Sequence, residues 1–294
     1  PRKVDLRPID DQPIKLIASS FEQSFDPYVF TLLRSAESYD FDMGLQEVKR
    51  QVREAAMRSQ NLRTAAVAHV LRRGRLDYDA NGELLPNTTG SVENHTFDVD
   101  ANNQNQLNGI ITASWALPST DIPLQLRNLK KRARRLTGYP LKYALYGENV
   151  PSYLTQNDYV LDYLARNDRM RSAWLETAEV PDGLFGLTWI AAYETFYEDS
   201  AGTNQDLWDA DAVTFTPEVS DDWYELIQGS TPVPTTINVM TDADAAMRSV
   251  KHQPGIYGYG YVELKPVSVT GIFGDCFIPC LKNADVVFQG DVTP

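Results

Sequence analysis

Between Gly44 and Arg73, the residues Leu45, Val48, Val52, Ala55, Ser59, Leu62, Ala66 and Val70 recur every three or four positions, which places them on one helical face. Asp42 stands where an N-cap would, Arg72 and Arg73 lie at the negative end of the helix dipole, and Gly74 supplies a left-handed stop. At 1.5 Å per residue this helix runs roughly 45 Å. It is longer than an ordinary globular domain uses, and its small residues suit packing on a sheet or a neighbouring backbone better than a deep coiled-coil seam. Whatever the chain folds into must provide a surface for this one long element.

With 294 residues, 43% of them apolar, the chain can bury one large core or two modest ones. Residues 3–20 read as an exposed, proline-marked hairpin or arm, since Pro8 and Pro13 bar a central strand and the segment has too few apolar residues to form a core layer alone. After Gly74 the period changes to two, with Asn81–Gly82 as a type I′ hairpin turn, followed by a polar loop over 86–109 that holds a strand-like run at His95–Val99. Asp121 caps a helix running to Thr137, with Pro123 in its first turn, a stripe of Ile122, Leu126, Leu129, Ala133 and Leu136, and Gly138 as terminator. Strands are expected at 141–146, 187–193 and 212–216, with short helices over 148–166 and a sheet centre at Trp189 and Ile190. From Gly255 to Phe288 nearly everything reads as strand, including Ala284–Phe288. Helix between strands from near Pro118 onward describes an α/β or α+β unit.

The formal net charge is −13, but it is not evenly spread. Residues 1–142 carry 20 Lys/Arg and 17 Asp/Glu, a net of +3, whereas residues 143–294 carry 7 and 23, a net of −16. Eight bases fall between Leu45 and Arg75, and seven between Arg127 and Lys142 with no acid among them. The acidic balance disfavours a protein whose main work is wrapping phosphate backbone. The basic helices either face acidic surfaces of neighbours or are solvated faces; composition leaves both open.

Apolar runs such as Gly109–Leu117 are far shorter than a membrane span, and no signal-peptide pattern opens the chain, so a soluble intracellular protein is expected. Cys276 and Cys280 lack a second pair for a metal site and read as buried or half-buried thiols. His69, His95 and His252 are scattered, and there is no nucleophile elbow, Walker loop or zinc-protease motif. The glycine–tyrosine alternation of Gly255–Tyr261 fits a strand with one aromatic face and one open to close approach. No cofactor, metal or catalytic residue is assigned. One enzyme-like option exists: Asp221, Asp222 and Glu225 beside Trp223 and Tyr224 match the equipment of a carboxylate-dependent polysaccharide hydrolase, against the plainer reading of a solvated acidic turn.

Taken in order, several segments resemble the major capsid proteins of tailed double-stranded-DNA bacteriophages, specifically the lambda-type capsid protein E family. They are Ala65–Tyr78, a helix end stepping through glycine into a strand; Trp115 with Pro118 and Asp121, an entry to the next helix; Gly138–Tyr139–Pro140 before a strand; Asn157–Val160, a short helix; and Phe277–Asp285, a closing signature. The resemblance covers nearly the whole chain, and it lies in the order and spacing of loose motifs.

The resemblance implies a Hong Kong 97-like fold with four regions. Residues 1–40 would be an extended arm and E-loop region lying across a neighbouring subunit, and 41–117 a peripheral domain with a spine helix at about 44–73. Residues 118–235 would be an α/β axial domain, with 236–294 as strands closing the core. It implies a non-enzymatic shell subunit of the virion, assembled in the host cytoplasm into hexamers and pentamers around double-stranded DNA that it does not read. Scaffolding protein, portal and a decoration or cement protein are the implied partners, with no membrane. A decoration or tail component is the further alternative. Lys3, Arg7, Lys15, Arg50, Arg53, Lys130, Lys131 and Arg134 are the candidate inter-subunit contacts. No cross-link is carried over from the family.

Overall fold

The computed structural model describes residues 17–25, 38–79, 84–85, 93–97, 111, 113–166, 170–172, 174, 179–194, 196–198, 204–206, 208–234, 250–264 and 267–293. In chain order the elements are β1 (Ile17–Phe25), α1 (Ser38–Arg73), β2 (Arg75–Tyr78), β3 (Glu93–Thr96), α2 (Ile122–Leu136), β4 (Leu141–Tyr146), α3 (Val150–Gln156), α4 (Asp158–Ala165), β5 (Thr188–Ala191), β6 (Phe196–Glu198), β7 (Asn204–Asp206), β8 (Ala212–Pro217), β9 (Tyr224–Gln228), β10 (Ser230–Pro234), β11 (Val250–Pro254), β12 (Tyr257–Leu264), β13 (Val267–Leu281) and β14 (Phe288–Asp291). Short 3-10 turns lie at Leu184–Gly186 and Ala284–Val286. The mixture of helix and sheet agrees with the expected α+β class. Among the described residues no helix is long and apolar enough to cross a membrane.

The chain divides into two compact units, Pro1–Arg50 with Gln228–Ile278, and Gln51–Ile227 with Pro279–Pro294. In the first, β1, β13 and β12 lie side by side, all antiparallel, with Ile17 opposite Phe277 and Tyr257 opposite Gly274. Residues 17–20, which have too few apolar neighbours to form a layer alone, are part of β1 and find their hydrogen-bond partners in β13. Residues 3–16 lie outside the described residues. Tyr257 and Tyr259 stack with rings 6.5 Å apart, as the glycine–tyrosine alternation predicts. The space left by Gly258 is filled by the ring of Phe273, whose Cδ1 lies 2.9 Å from where a Cβ would stand. A second pair, β10 with β11, and the opening turns of α1 up to Arg50 also belong to this unit.

In the second unit a sheet runs in the order β14-β8-β4-β5. β4 and β5 are parallel, as the intervening α3 and α4 allow, while β8 is antiparallel to both β4 and β14. β8 is buried along its whole length, which fits a central strand covered on both faces. On one face Ala144, Tyr146 and Phe215 pack with Ile122, Leu126 and Leu129 of α2. On the other, Leu145 and Ile190 share a cleft of about 330 Å³ with Thr64, Val67 and Leu71 of α1. The expected sheet centre at Trp189 and Ile190 is therefore corrected: β5 is an edge strand, with Trp189 buried and Ile190 exposed.

Helix caps follow the sequence closely at α2 and less so at α1. Asp121 accepts from the Leu124 N–H at 2.9 Å, and Gly138 takes φ +82 just past the end. α1 begins at Ser38, so Asp42 is not its N-cap; Asp40 and Asp42 sit in its opening turns, where the positive dipole end favours acids. At 36 residues α1 is about 54 Å long. Ser59, Ala65, Ala66 and Val70 are buried, but Val52 on the same predicted stripe is exposed. Leu136, at the end of the α2 stripe, is also exposed. Gly74 at φ +67 stops α1 as expected.

Two turns differ from the sequence reading. Tyr78 bridges Leu84, whereas a two-residue turn at Asn81–Gly82 would set Tyr78 opposite Leu85; the turn itself lies outside the described residues. Ala284–Val286 is a 3-10 turn rather than strand, because the Asn283 carboxamide oxygen accepts from the Asp285 N–H at 3.2 Å and opens a local turn before β14.

Candidate functional site

The charged helices carry the candidate functional residues, and their cations divide into two groups. At the end of α1, Arg72 reaches Asp209 at 2.6 Å and Asp291 at 2.8 Å, and Arg73 lies 3.8 Å from Asp209. Burial pushes the Arg73 guanidinium below its usual value, and Asp209 opposes that shift. Beside them the Gln289 amide donates to the Leu71 carbonyl at 2.6 Å, satisfying one of the carbonyls a helix end leaves unpaired. His69, fully buried one turn earlier, has its Nδ1 2.6 Å from the Arg75 carbonyl, and burial holds the ring below its usual pKa. These residues lock α1 onto the second unit's sheet.

On α2 the outward stripe is different. Leu124, Arg127, Asn128, Lys131, Arg134 and Arg135, each three or four residues from another of the set, form one helical face, all exposed, opposite the buried Leu126, Leu129 and Ala133. Among the described residues Arg127, Lys131, Arg134 and Arg135 make no ion pair.

Of the sequence-derived candidates, Arg53, Lys131 and Arg134 are exposed. Arg50 is exposed and pairs along its own helix with Glu47, its Nε 2.9 Å from the carboxylate. Lys130 is turned inward: its ammonium donates to the Phe185 carbonyl and, at 3.2 Å, to that of Gly186, and burial lowers its pKa. It thereby holds a turn in which Phe185 takes φ +54, a strained value for an aromatic residue. Lys3, Arg7 and Lys15 lie outside the described residues.

The acidic turn proposed as a hydrolase centre has no enclosed carboxylate pair. Asp221 and Asp222 are exposed, and Glu225 is ion-paired with Lys282 at 2.6 Å. Trp223, the aromatic that would have to stack on a sugar, is buried and donates its indole N–H to the Glu218 carbonyl at 2.9 Å. Both cysteines are free and half-buried, and burial raises the Cys280 thiol. Among the described residues no group of His, Cys, Asp and Glu is arranged to hold a metal ion.

Two of the motif residues behind the capsid resemblance, Asn157 and Trp115, are joints of the second unit. Asn157, fully buried, donates to the carbonyls of Pro118 at 3.0 Å and Thr120 at 2.7 Å while its oxygen caps α4 at the Val160 N–H. Trp115 donates to Gln125 at 3.0 Å, and its backbone N–H reaches the Val292 carbonyl at 2.8 Å. One buried asparagine thus ties the entry of α2 to the start of α4, which explains why these residue types stand at these intervals.

No family model and no curated protein sequence matches the chain. Among solved structures, a protein assigned as the capsid protein of a prophage of E. coli CFT073 superposes with a TM-score of 0.60 at 15% identity, over 95% of this chain and 77% of that one. The chain has a phage capsid-protein fold. A phage-related protein of Bordetella bronchiseptica RB50 matches at a TM-score of 0.46, with 13% identity over 95% of this chain and 76% of its own. A Gordonia phage Cozz chain matches at 0.45, with 11% identity over 94% and 70%.

Proposed function

We propose that this chain is the major capsid protein of a tailed double-stranded-DNA bacteriophage, a structural subunit that assembles with copies of itself into an icosahedral head. The observation that carries this reading is the fold match to a capsid protein over 95% of the chain. A basic helix face whose Arg127, Lys131, Arg134 and Arg135 have no acidic partner among the described residues supports it, since on so acidic a chain such a face suits acidic protein neighbours. On this reading the fold is of the Hong Kong 97-like kind, with α1 as the spine of a peripheral domain over 41–117. Residues 118–235 form the axial domain, 1–40 reach toward a neighbour, and 236–294 close the core. The shell protein performs no catalysis, resides in the virion after assembly in the host cytoplasm, and works with a scaffolding protein, a portal and a decoration protein.

Co-expression of the chain with its scaffolding protein, followed by electron microscopy of the purified particles, tests the proposal. Closed shells of uniform diameter are expected. A chain that stays monomeric under every assembly condition overturns it.

A further inference from the structure

We infer that the basic stripe of α2 seats on an acidic cluster at the β4–β5 end of a second copy of this chain, making a head-to-tail contact. The inference deepens the capsid reading by naming one pair of surfaces, and it rests on that reading for its closure into rings.

The stripe has the character of a binding face. Its four cations, Arg127, Lys131, Arg134 and Arg135, are exposed and without an acidic partner among the described residues. A shallow groove of about 840 Å³ is lined by Asn128, Lys131, Arg134 and Arg135 with Leu136 at the helix end, and the exposed Leu124 opens the stripe. Exposed leucines beside unpaired arginines fit a protein surface, where charge sets register and apolar contact adds affinity. Nucleic acid is the poorer occupant: the stripe carries no aromatic for base stacking, and the half of the chain that follows Lys142 is strongly acidic.

The complement lies elsewhere in the same unit. β4 and β5 end side by side, with Tyr146 opposite Ala191 and the Ala192 N–H donating to the Tyr146 carbonyl at 3.0 Å. Glu148 follows the first strand and Glu194 the second; both are exposed, as is Glu179. The ring of Tyr193 stands 6.1 Å from that of Tyr146 in their midst. Burial raises the Tyr193 hydroxyl, and the charges of Glu194, Glu179 and Glu148 raise it further. The α2 stripe is on the side of its helix away from the sheet, and among the described residues Arg127, Lys131, Arg134 and Arg135 make no ion pair with Glu148 or Glu194. Two unlike, complementary patches on one chain make a heterologous contact, which builds a ring when the rotation closes.

The test uses the full chain. One variant carries Lys131→Glu, Arg134→Glu and Arg135→Glu; a second carries Glu148→Lys, Glu179→Lys and Glu194→Lys; a third carries all six. Self-association is followed by sedimentation velocity at low and high salt, with circular dichroism as the check of folding. Each triple variant should weaken association by about tenfold or more, and the six-fold exchange should restore it, because every copy then again presents opposite charges. The milder pair Arg134→Gln and Arg135→Gln should weaken it in the same direction, should charge reversal disturb folding. Folded triple variants that associate like the wild type, or a folded six-fold exchange without recovery, overturn the contact. So does a stripe variant that loses binding to a short DNA duplex yet associates normally, which would make the face a nucleic-acid surface. Wild-type chains that associate through these patches but never close into shells with scaffold leave this contact standing and overturn the capsid reading. Wild-type chains that never associate overturn both.

Discussion

The last turn of α1 and the outward face of α2 are both rich in basic residues, and the fold uses them in opposite ways. Arg72 is largely enclosed, its side chain 13% exposed, and two carboxylates from distant parts of the chain close on it. Arg127, Lys131, Arg134 and Arg135 stand in solvent without an acidic partner among the described residues. The difference arises from what lies opposite each helix face. The end of α1 abuts β14 and the residues preceding β8, which bring Asp291 and Asp209, whereas the α2 stripe points away from the sheet that its other face covers. Charge on a helix thus has a structural role where the fold supplies a counter-ion, and is left available for a partner where it does not.

The largest effect separates the two sides of α2. Leu129→Ala, at a site 1% exposed in the core, should lower stability by about 2–5 kcal/mol, while Leu124→Ala on the exposed stripe should stay within about 0.5 kcal/mol. Urea denaturation of both variants measures this, and equal losses would show that the stripe is buried in the folded chain. Next is the comparison of the arginines themselves. Arg72→Ala should cost about 1–2 kcal/mol, more than an exposed ion pair because the side chain is enclosed and its stem is packed. Arg134→Ala should be nearly neutral for the folding of the isolated chain, within about 0.5 kcal/mol. If both were neutral, the ion pairs at the end of α1 would not contribute to the fold.

The smallest effect is a pH dependence at the α1 joint. His69 titrates near the ordinary histidine value of 6.5 when unfolded, and burial lowers that value in the folded chain. The unfolded chain therefore binds the proton more readily, so the contribution from keeping His69 neutral is complete above 6.5 and is lost as pH falls from there toward the folded pKa. His95 shifts in the same direction and shares the effect. Denaturation midpoints on either side of this range should fall with acid in the wild type and fall less in His69→Gln. An unchanged slope in that variant would assign the whole dependence to His95 or other groups.

Local structure was legible in the sequence to different depths. The α2 helix was readable to within a residue, because its cap Asp121, its terminator Gly138 and its apolar spacing all act within a few positions. The start of α1 was misplaced because Asp42 suits both an N-cap and an opening turn, and only the backbone distinguishes them. The position of β5 in its sheet was misread for another reason: an apolar run such as Leu187–Tyr193 signals burial, and Trp189 alone supplies enough of it for an edge strand covered on one face. The capsid resemblance agreed with the fold, because buried joints such as Asn157 fix residue type and interval more tightly than surface positions do.

By itself, then, the sequence determined which segments become helices and strands and how charge is apportioned along the chain, since periodicity, capping and composition act over short distances. The tertiary structure alone decided which charges meet. Arg72 finds Asp209 at a separation of 137 residues and Asp291 at 219. Lys130, expected on the surface with its neighbours, turns instead to the Phe185 carbonyl. Pairing over such separations depends on how sheets and helices stack, and a side chain one position along a helix points about 100° away, so adjacent lysines at 130 and 131 belong to different surfaces.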